Sequence, residues 1–304
     1  MRDLIEEPAA SVASLPIGRT RRSPEAVNQA PPTSRPPRGK NAAAKRTSTP
    51  NVCTPQPGEA EAPDLRFADP LVATIVETWR ARTDMVRAQQ KLTLQIKAIG
   101  RRFCAGDKDA AQKLYTAHTK GEGLPAFALA TAPLFAARLP LEEARKGYEK
   151  TLAKMGKQLP IAHMADQIRG INHTTLATIV GECGDLSQYK SVAAVWKRAG
   201  LAVIEGGRQR RVAGEAALVH GYAPERRSVM WNVGAALFKA QSTGEAPGPY
   251  RLLYDERKAL ELAKELTAGH AHNRALRHIT KRLLRDLTVE WRRVSMTAEQ
   301  EAAE

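Results

Sequence analysis

The sequence predicts an all-α protein: a long helical hairpin followed by a helix-hairpin-helix domain, preceded by a disordered arm. Three observations carry this. Hydrophobic residues make up 42% of the chain but aromatics only 5%, so the core must be aliphatic, which suits packed helices better than alternating strands. Apolar residues recur at three- and four-residue steps over two long segments. Proline and glycine are concentrated at the borders between such segments.

Residues 1–65 hold eleven of the nineteen prolines. Between positions 19 and 46, Arg19, Arg21, Arg22, Arg35, Arg38, Lys40, Lys45 and Arg46 face a single acid, Glu25. Such a stretch cannot bury enough apolar surface to offset ordering entropy, so a disordered basic arm is expected. Asp69-Pro70 reads as a helix start, an N-cap acid followed by proline at the first helical position. Val72, Ile75, Trp79, Val86, Leu92, Ile96, Ile99 and Phe103 then line one face. A second run, Leu141, Ala144, Tyr148, Leu152, Met155 and Leu159, keeps the same period. A looser Ala-, Gly- and Pro-containing stretch joins them, so 66–160 is expected to form an antiparallel hairpin whose apolar stripe packs on itself or on a second copy.

Residues 161–293 are expected to form the C-terminal domain, with 294–304 as a tail. Ile161 to Ile168 reads as a short helix, Arg169-Gly170-Ile171-Asn172 as a tight turn, and Thr174 or Thr175 as the cap of a helix ending at Gly184. Tyr189 to Ala199 follows and stops at Gly200. Short strands fit only within 201–222, at LAVI and RRVAG. Helices are then expected over Glu225–Gln241, Tyr250–Leu266 and Ala271–Arg293, the first two separated by a Gly/Pro break at 244–249.

At 304 residues the chain has room for two ordinary domains. Lys+Arg 47 against Asp+Glu 32 gives a formal charge of +15, which points to a polyanionic partner. Cys53, Cys104 and Cys183 stand far apart without CxxC or zinc spacing, which excludes a disulfide scaffold and a zinc finger. No apolar run reaches the roughly 20 residues of a membrane span, and the early acids argue against a secretory signal. The expected setting is the cytoplasm, without membrane or cofactor.

Three groups of residues suggest phosphate contact. In QIRGINHTTLATIVGECGDL, Gly170 and Asn172 can take positive φ, and the following helix presents its positive end to an anion. On the terminal helix, at 100° per residue, Leu276, Ile279, Leu283, Leu287 and Trp291 span about 120°. Arg274, Arg277, Lys281, Arg285 and Arg292 gather opposite, in an arc of about 80° without acids. Between these lie Lys197 and Arg198, then Arg208, Arg210 and Arg211 after Gly206-Gly207, then Arg226 and Arg227. The glycines match neither a Walker loop nor a dinucleotide fingerprint. His270, His272 and His278 have no Cys or acid ligand in their segment, so no metal site is expected.

The blocks GINHTTLATIVGECGDLSQYKSVAAVWKRAGLAVIEGGRQRR, GYAPERRSVMWNVGAAL, YRLLYDERKALELA and HAHNRALRHITKRLLRDLTVEWRR occur in that order. Over about residues 161–293 they resemble the C-terminal half of the DEDD transposases of the insertion-sequence one-ten group, relatives of the Piv invertase. The resemblance implies a helix-hairpin-helix DNA-binding domain from a site-specific recombinase. It also implies that the hairpin corresponds to a coiled-coil spacer used for dimerisation through 69–160.

Two departures matter. The family carries metal-binding acids on an RNase H-like half, and no strand-borne acids match them here. It places a serine just before the Gly-Gly pair, where this chain has Glu205, and a carboxylate cannot make the serine's phosphodiester-like link. Ser228, downstream, reads as structural. The expected function is therefore duplex DNA binding without catalysis by this chain alone. The alternatives are an active transposase subunit using a metal-binding half from another chain, a guide RNA being a further possible partner, and an RNA-binding coiled-coil protein.

Overall fold

Asp69 opens the first long helix as its sequence dictates: its carboxylate accepts the Val72 N–H at 2.9 Å, and Pro70 occupies the first helical position. In the computed structural model, residues 64–303 are described except for Glu245, and the arm expected over 1–65 lies almost wholly outside the described residues. A single 3-10 turn, Leu65–Phe67, precedes α1 (Pro70–Phe103). With 34 residues, α1 is about 51 Å long. A short helix, α2 (Lys108–Thr119), is capped by Asp107, and α3 (Pro125–Gly156) returns along α1. The antiparallel sense follows from Arg82–Glu149 at 2.8 Å near one end and the Phe103–Phe127 edge contact near the other.

The return helix begins at Pro125, well before the expected second run, and passes through Pro133 and Pro140. Each proline removes one backbone hydrogen bond. The surrounding alanines (Ala126, Ala128, Ala130, Ala132, Ala136 and Ala137) are the best helix formers, and the buried Phe127 and Thr131 anchor the segment. Helix α2, not foreseen from sequence, covers this end: Ala111 is buried, Tyr115 stacks on Phe135, and the His118 ring lies tilted against it.

At the other end of the hairpin the apolar stripe meets the rest of the chain. Leu152 and Met155, expected in a seam open to a second copy, lie in one core with Val72, Ile75, Val76 and Trp79 of α1 and with Leu176, Ile179 and Val180 of the helix over 173–183. Gly181 lets Trp79 approach, since a Cβ there would stand 2.6 Å from the Trp79 Cβ. That core crosses residue 160 without interruption and continues to Trp291, so the expected border between 66–160 and 161–293 is not a break in packing.

The segment after Pro160 forms successive three-residue turns and one helical turn, α4 (Met164–Gln167), where a helix from Ile161 was expected. Helix α5 (His173–Cys183) is capped by Asn172, not by Thr174 or Thr175: Asn172 Oδ1 accepts from Thr175 N at 2.8 Å and from its hydroxyl at 2.9 Å. Helix α6 (Val192–Arg198) starts at a Ser191 cap, three residues later than expected. Strands β1 (Val203–Ile204) and β2 (Gly207–Arg208) pair antiparallel, Val203 opposite Arg208. Thus the second strand precedes RRVAG.

A short α7 (Ala216–His220), then α8 (Pro224–Gln241), α9 (Pro249–Leu262) and α10 (Ala268–Ala303) complete the chain. Helix α9 ends four residues early, and α10 runs through the expected 294–304 tail. Among the described residues, no helix is long and apolar enough to cross a membrane. Helix α10 is the centre of this half, packed against α9, α8 and α6. Its buried positions include Ala271, Ala275, Ile279, Leu283, Leu284 and Thr288, which together cover well over half of its circumference.

Candidate nucleic-acid interface

The two-residue link between β1 and β2 is Glu205-Gly206, and both residues have positive φ, 51° and 71°. That is what a type I′ turn requires, and it closes a tight hairpin of the same twist as its strands. Gln209, 1% exposed, anchors the far strand by donating to the carbonyls of Lys197 at 3.1 Å and His220 at 2.7 Å. The hairpin is thereby held against the C-terminus of α6, and Arg208 is delivered to one wall of a cleft.

The cleft has a volume of about 880 Å³. Arg208 and Gly206 come from the hairpin, Arg227 and Trp231 from α8, and Arg274 and Arg277 from α10. Among the described residues, no Asp or Glu lines it. Arg227 donates to the Gly200 carbonyl at 3.0 Å, and Arg274 is held at 2.9 Å by Glu261. Glu261 is fully buried beneath Arg257, Arg274 and Lys264, and these cations hold its carboxyl below the usual range despite burial. One acid against three cations leaves this corner positive.

Burial lowers the Arg277 pKa, and Arg227, Arg274, Arg208 and Arg257 lower it further. Arg227 is lowered by burial and then by Arg208. Both remain cationic, because arginine starts so high. The shifts record burial first and neighbouring like charges second, and a bound anion would offset both.

The fourteen residues singled out from sequence separate into distinct environments. Arg208, Arg227, Arg274 and Arg277 share the cleft. Lys197, Arg210, Arg211 and Arg285 are exposed and form no ion pair among the described residues. Lys281 lies 3.8 Å from the Trp196 ring centre, half-buried, with its pKa lowered by burial and by Arg277.

Three arginines are used inside the fold. Arg226 pairs with Glu182 at 3.4 Å and donates to the Arg198 carbonyl at 3.1 Å. Arg198 donates to the Glu182 carbonyl at 3.3 Å. Glu182 also accepts the Trp79 indole N–H at 2.8 Å, so these residues tie α1, α5, α6 and α8 together. Arg292 donates to the carbonyls of Ser187 and Tyr189. The single basic stripe expected on α10 is therefore divided, because α6 and the loop before it pack over its middle and lower parts.

The Gly170 turn also differs from expectation. Gly170 has φ +98°, whereas Asn172 has φ −124° and serves as a helix cap. A Cβ on Gly170 would stand 2.6 Å from the Ala240 Cβ, and the Arg169 carbonyl accepts from Gln241 at 2.7 Å. Arg169 in turn donates to the Ala246 carbonyl at 3.1 Å. The turn that was expected to face phosphate packs against the end of α8.

Ser228 lines the cleft, with its hydroxyl donating back to the Pro224 carbonyl at 3.1 Å. His270 lines the cleft, whereas the His272 ring accepts or donates at 2.6 Å with the Tyr254 hydroxyl. Among the described residues, no three His, Cys, Asp or Glu side chains gather as a metal site would need. Cys183 is buried, and desolvation pushes its thiol up to about 12.

Sequence reasoning missed Tyr222, Trp231, Asn232 and Asn273 as cleft residues. A signal existed: Arg227 and Trp231 are four apart on one helix, as are His270 and Arg274 on another, which places each pair on one face. No family model, no curated protein and no solved structure matches the chain.

Proposed function

We propose that this chain binds DNA, with the arginine cleft and the exposed Lys197, Arg210, Arg211 and Arg285 as its contact surface, as the resemblance to a transposase C-terminal half implies. The observation that carries this reading is the convergence of Arg208, Arg227, Arg274 and Arg277 on a cleft with no lining carboxylate among the described residues. A solvated basic surface ordinarily interleaves both signs, and concentrating four guanidiniums serves a polyanion. Phosphate contacts of this kind fix position without reading bases. Helix-hairpin-helix character belongs to the same reading, with the Gly170 turn in a packing role. Self-association falls to the exposed Leu94, Leu129 and Leu139 of the hairpin, since Leu152 and Met155 are internal.

The test is anisotropy of a labelled 20-base-pair duplex across a salt series. The logarithm of the binding constant should fall linearly with the logarithm of salt, by about 0.9 per phosphate neutralised. The triple variant Arg208→Gln, Arg227→Gln, Arg277→Gln should make that slope shallower by about two to three. An unchanged slope and affinity in a folded triple variant would remove the cleft from the interface, and flat salt dependence of the parent protein would remove the DNA reading.

A further inference from the structure

We propose that the cleft takes an unpaired nucleotide of a DNA strand, with phosphate on the arginines and the base against Trp231, whereas a duplex reaches the same arginines through its phosphates alone. The inference rests on the DNA reading above and adds the form of the ligand.

Three observations support it. The first is size: about 880 Å³ lies in the range of small-ligand sites, enough for one or two nucleotides and too small to enclose a paired helix. The second is the aromatic wall. Trp231 is 40% exposed, and Trp79 and Trp291 are both buried. It is supported edge to face by the His272 ring, centroids 6.4 Å apart, and His272 is itself pinned by the Tyr254 hydroxyl. In a duplex the base faces are covered by their neighbours, so an aromatic platform gains nothing from paired DNA, whereas an unpaired base offers a free π face. The third is spacing. Arg227 and Trp231 are four residues apart on α8, about 6 Å along the axis, within the reach of one nucleotide's own phosphate and base.

The remaining cleft polar groups suit the same ligand. Asn232 and Asn273 line the cleft, are exposed and make no side-chain hydrogen bond among the described residues. Each amide offers both donor and acceptor to a base edge that pairing would otherwise occupy. A phosphate-only surface would need neither the amides nor the indole.

The full chain is titrated with a twelve-residue oligothymidylate and, separately, with a blunt duplex that has no unpaired ends, following anisotropy and intrinsic tryptophan fluorescence. The strand should quench the fluorescence and the duplex should not. Trp231→Ala should weaken strand binding by at least about fivefold, the low end of base–aromatic stacking, and change duplex binding by less than twofold. Thermal unfolding of the variant checks that the fold survives, and Trp231→Phe should recover most of the strand affinity.

Equal weakening of strand and duplex by Trp231→Ala, or none of either, overturns the inference. In that case loss of duplex affinity in the arginine variant still leaves the DNA reading standing. Binding of neither nucleic acid removes both. Tenfold preference for an oligouridylate over the oligothymidylate overturns the assignment to DNA.

Discussion

Gly170→Ala separates two roles that the same glycine could have. If its turn touches phosphate, the variant loses affinity while staying folded. If it packs against α8, the variant loses stability. The structure gives two costs. At φ +98° any L side chain is strained, by about 1–3 kcal/mol. The new Cβ would also stand 2.6 Å from the Ala240 Cβ and 3.2 Å from the Leu237 Cα. Overpacking of this kind costs about 1–3 kcal/mol, since the neighbours must shift.

Together these predict a loss of about 2–6 kcal/mol, a large fraction of an ordinary domain's stability. Urea unfolding followed by circular dichroism measures it. The double variant Gly170→Ala, Ala240→Gly removes the nearest contact but not the strain, and glycine near a helix end costs up to about 1 kcal/mol. A partial recovery of about 1 kcal/mol is therefore expected, and the coupling in the cycle should be clear of error. Duplex affinity of the folded fraction should stay within twofold. A Gly170→Ala protein of parental stability that has lost DNA binding would refute the packing argument and restore the turn as a phosphate site.

Two further outcomes follow from local geometry. Glu205 has positive φ in a tight turn, so Glu205→Asn should stabilise by about 0.5–1 kcal/mol, read as a higher thermal midpoint, and a loss would mean the turn is not built this way. Glu290 is held down to about 2 by Arg293 and then by His163, which bonds it at 2.8 Å. A carboxyl depressed from 4.5 contributes stability that is fully present above pH 4.5 and is lost as pH falls toward 2. The gap in unfolding free energy between the parent and Glu290→Gln should shrink by about 1 kcal/mol over that window, less than the full shift because Arg293 is exposed and screened. A gap that stays constant from pH 5 to pH 2 would show that the contact does not survive in solution.

Much of the fold was legible because the signals are local. Asp69-Pro70 starts α1 through bonds within one turn, and the apolar period of α10 depends only on neighbours three and four residues away. The α3 boundary was obscured because Pro133 and Pro140 outweighed a run of alanines. Only the packing of Phe127 against Phe103 and His118, and the burial of Thr131, decide that balance. The hairpin carrying Arg208 was placed in the right stretch but in the wrong register, since Glu205 is an unusual residue for a positive-φ turn.

The candidate site divides on the same line. The sequence by itself determined that the C-terminal half is rich in arginine and that Arg274, Arg277, Lys281 and Arg285 share a helix face. It could not say which of them are free. Arg292 is satisfied by carbonyls at Ser187 and Tyr189, more than a hundred residues away, and Arg226 by Glu182 on another helix. Arg208, Arg227, Arg274 and Arg277 meet because a hairpin and two helices converge. A long cationic side chain takes whichever acceptor lies within reach, and for these residues the tertiary fold sets that reach, not the spacing along the chain.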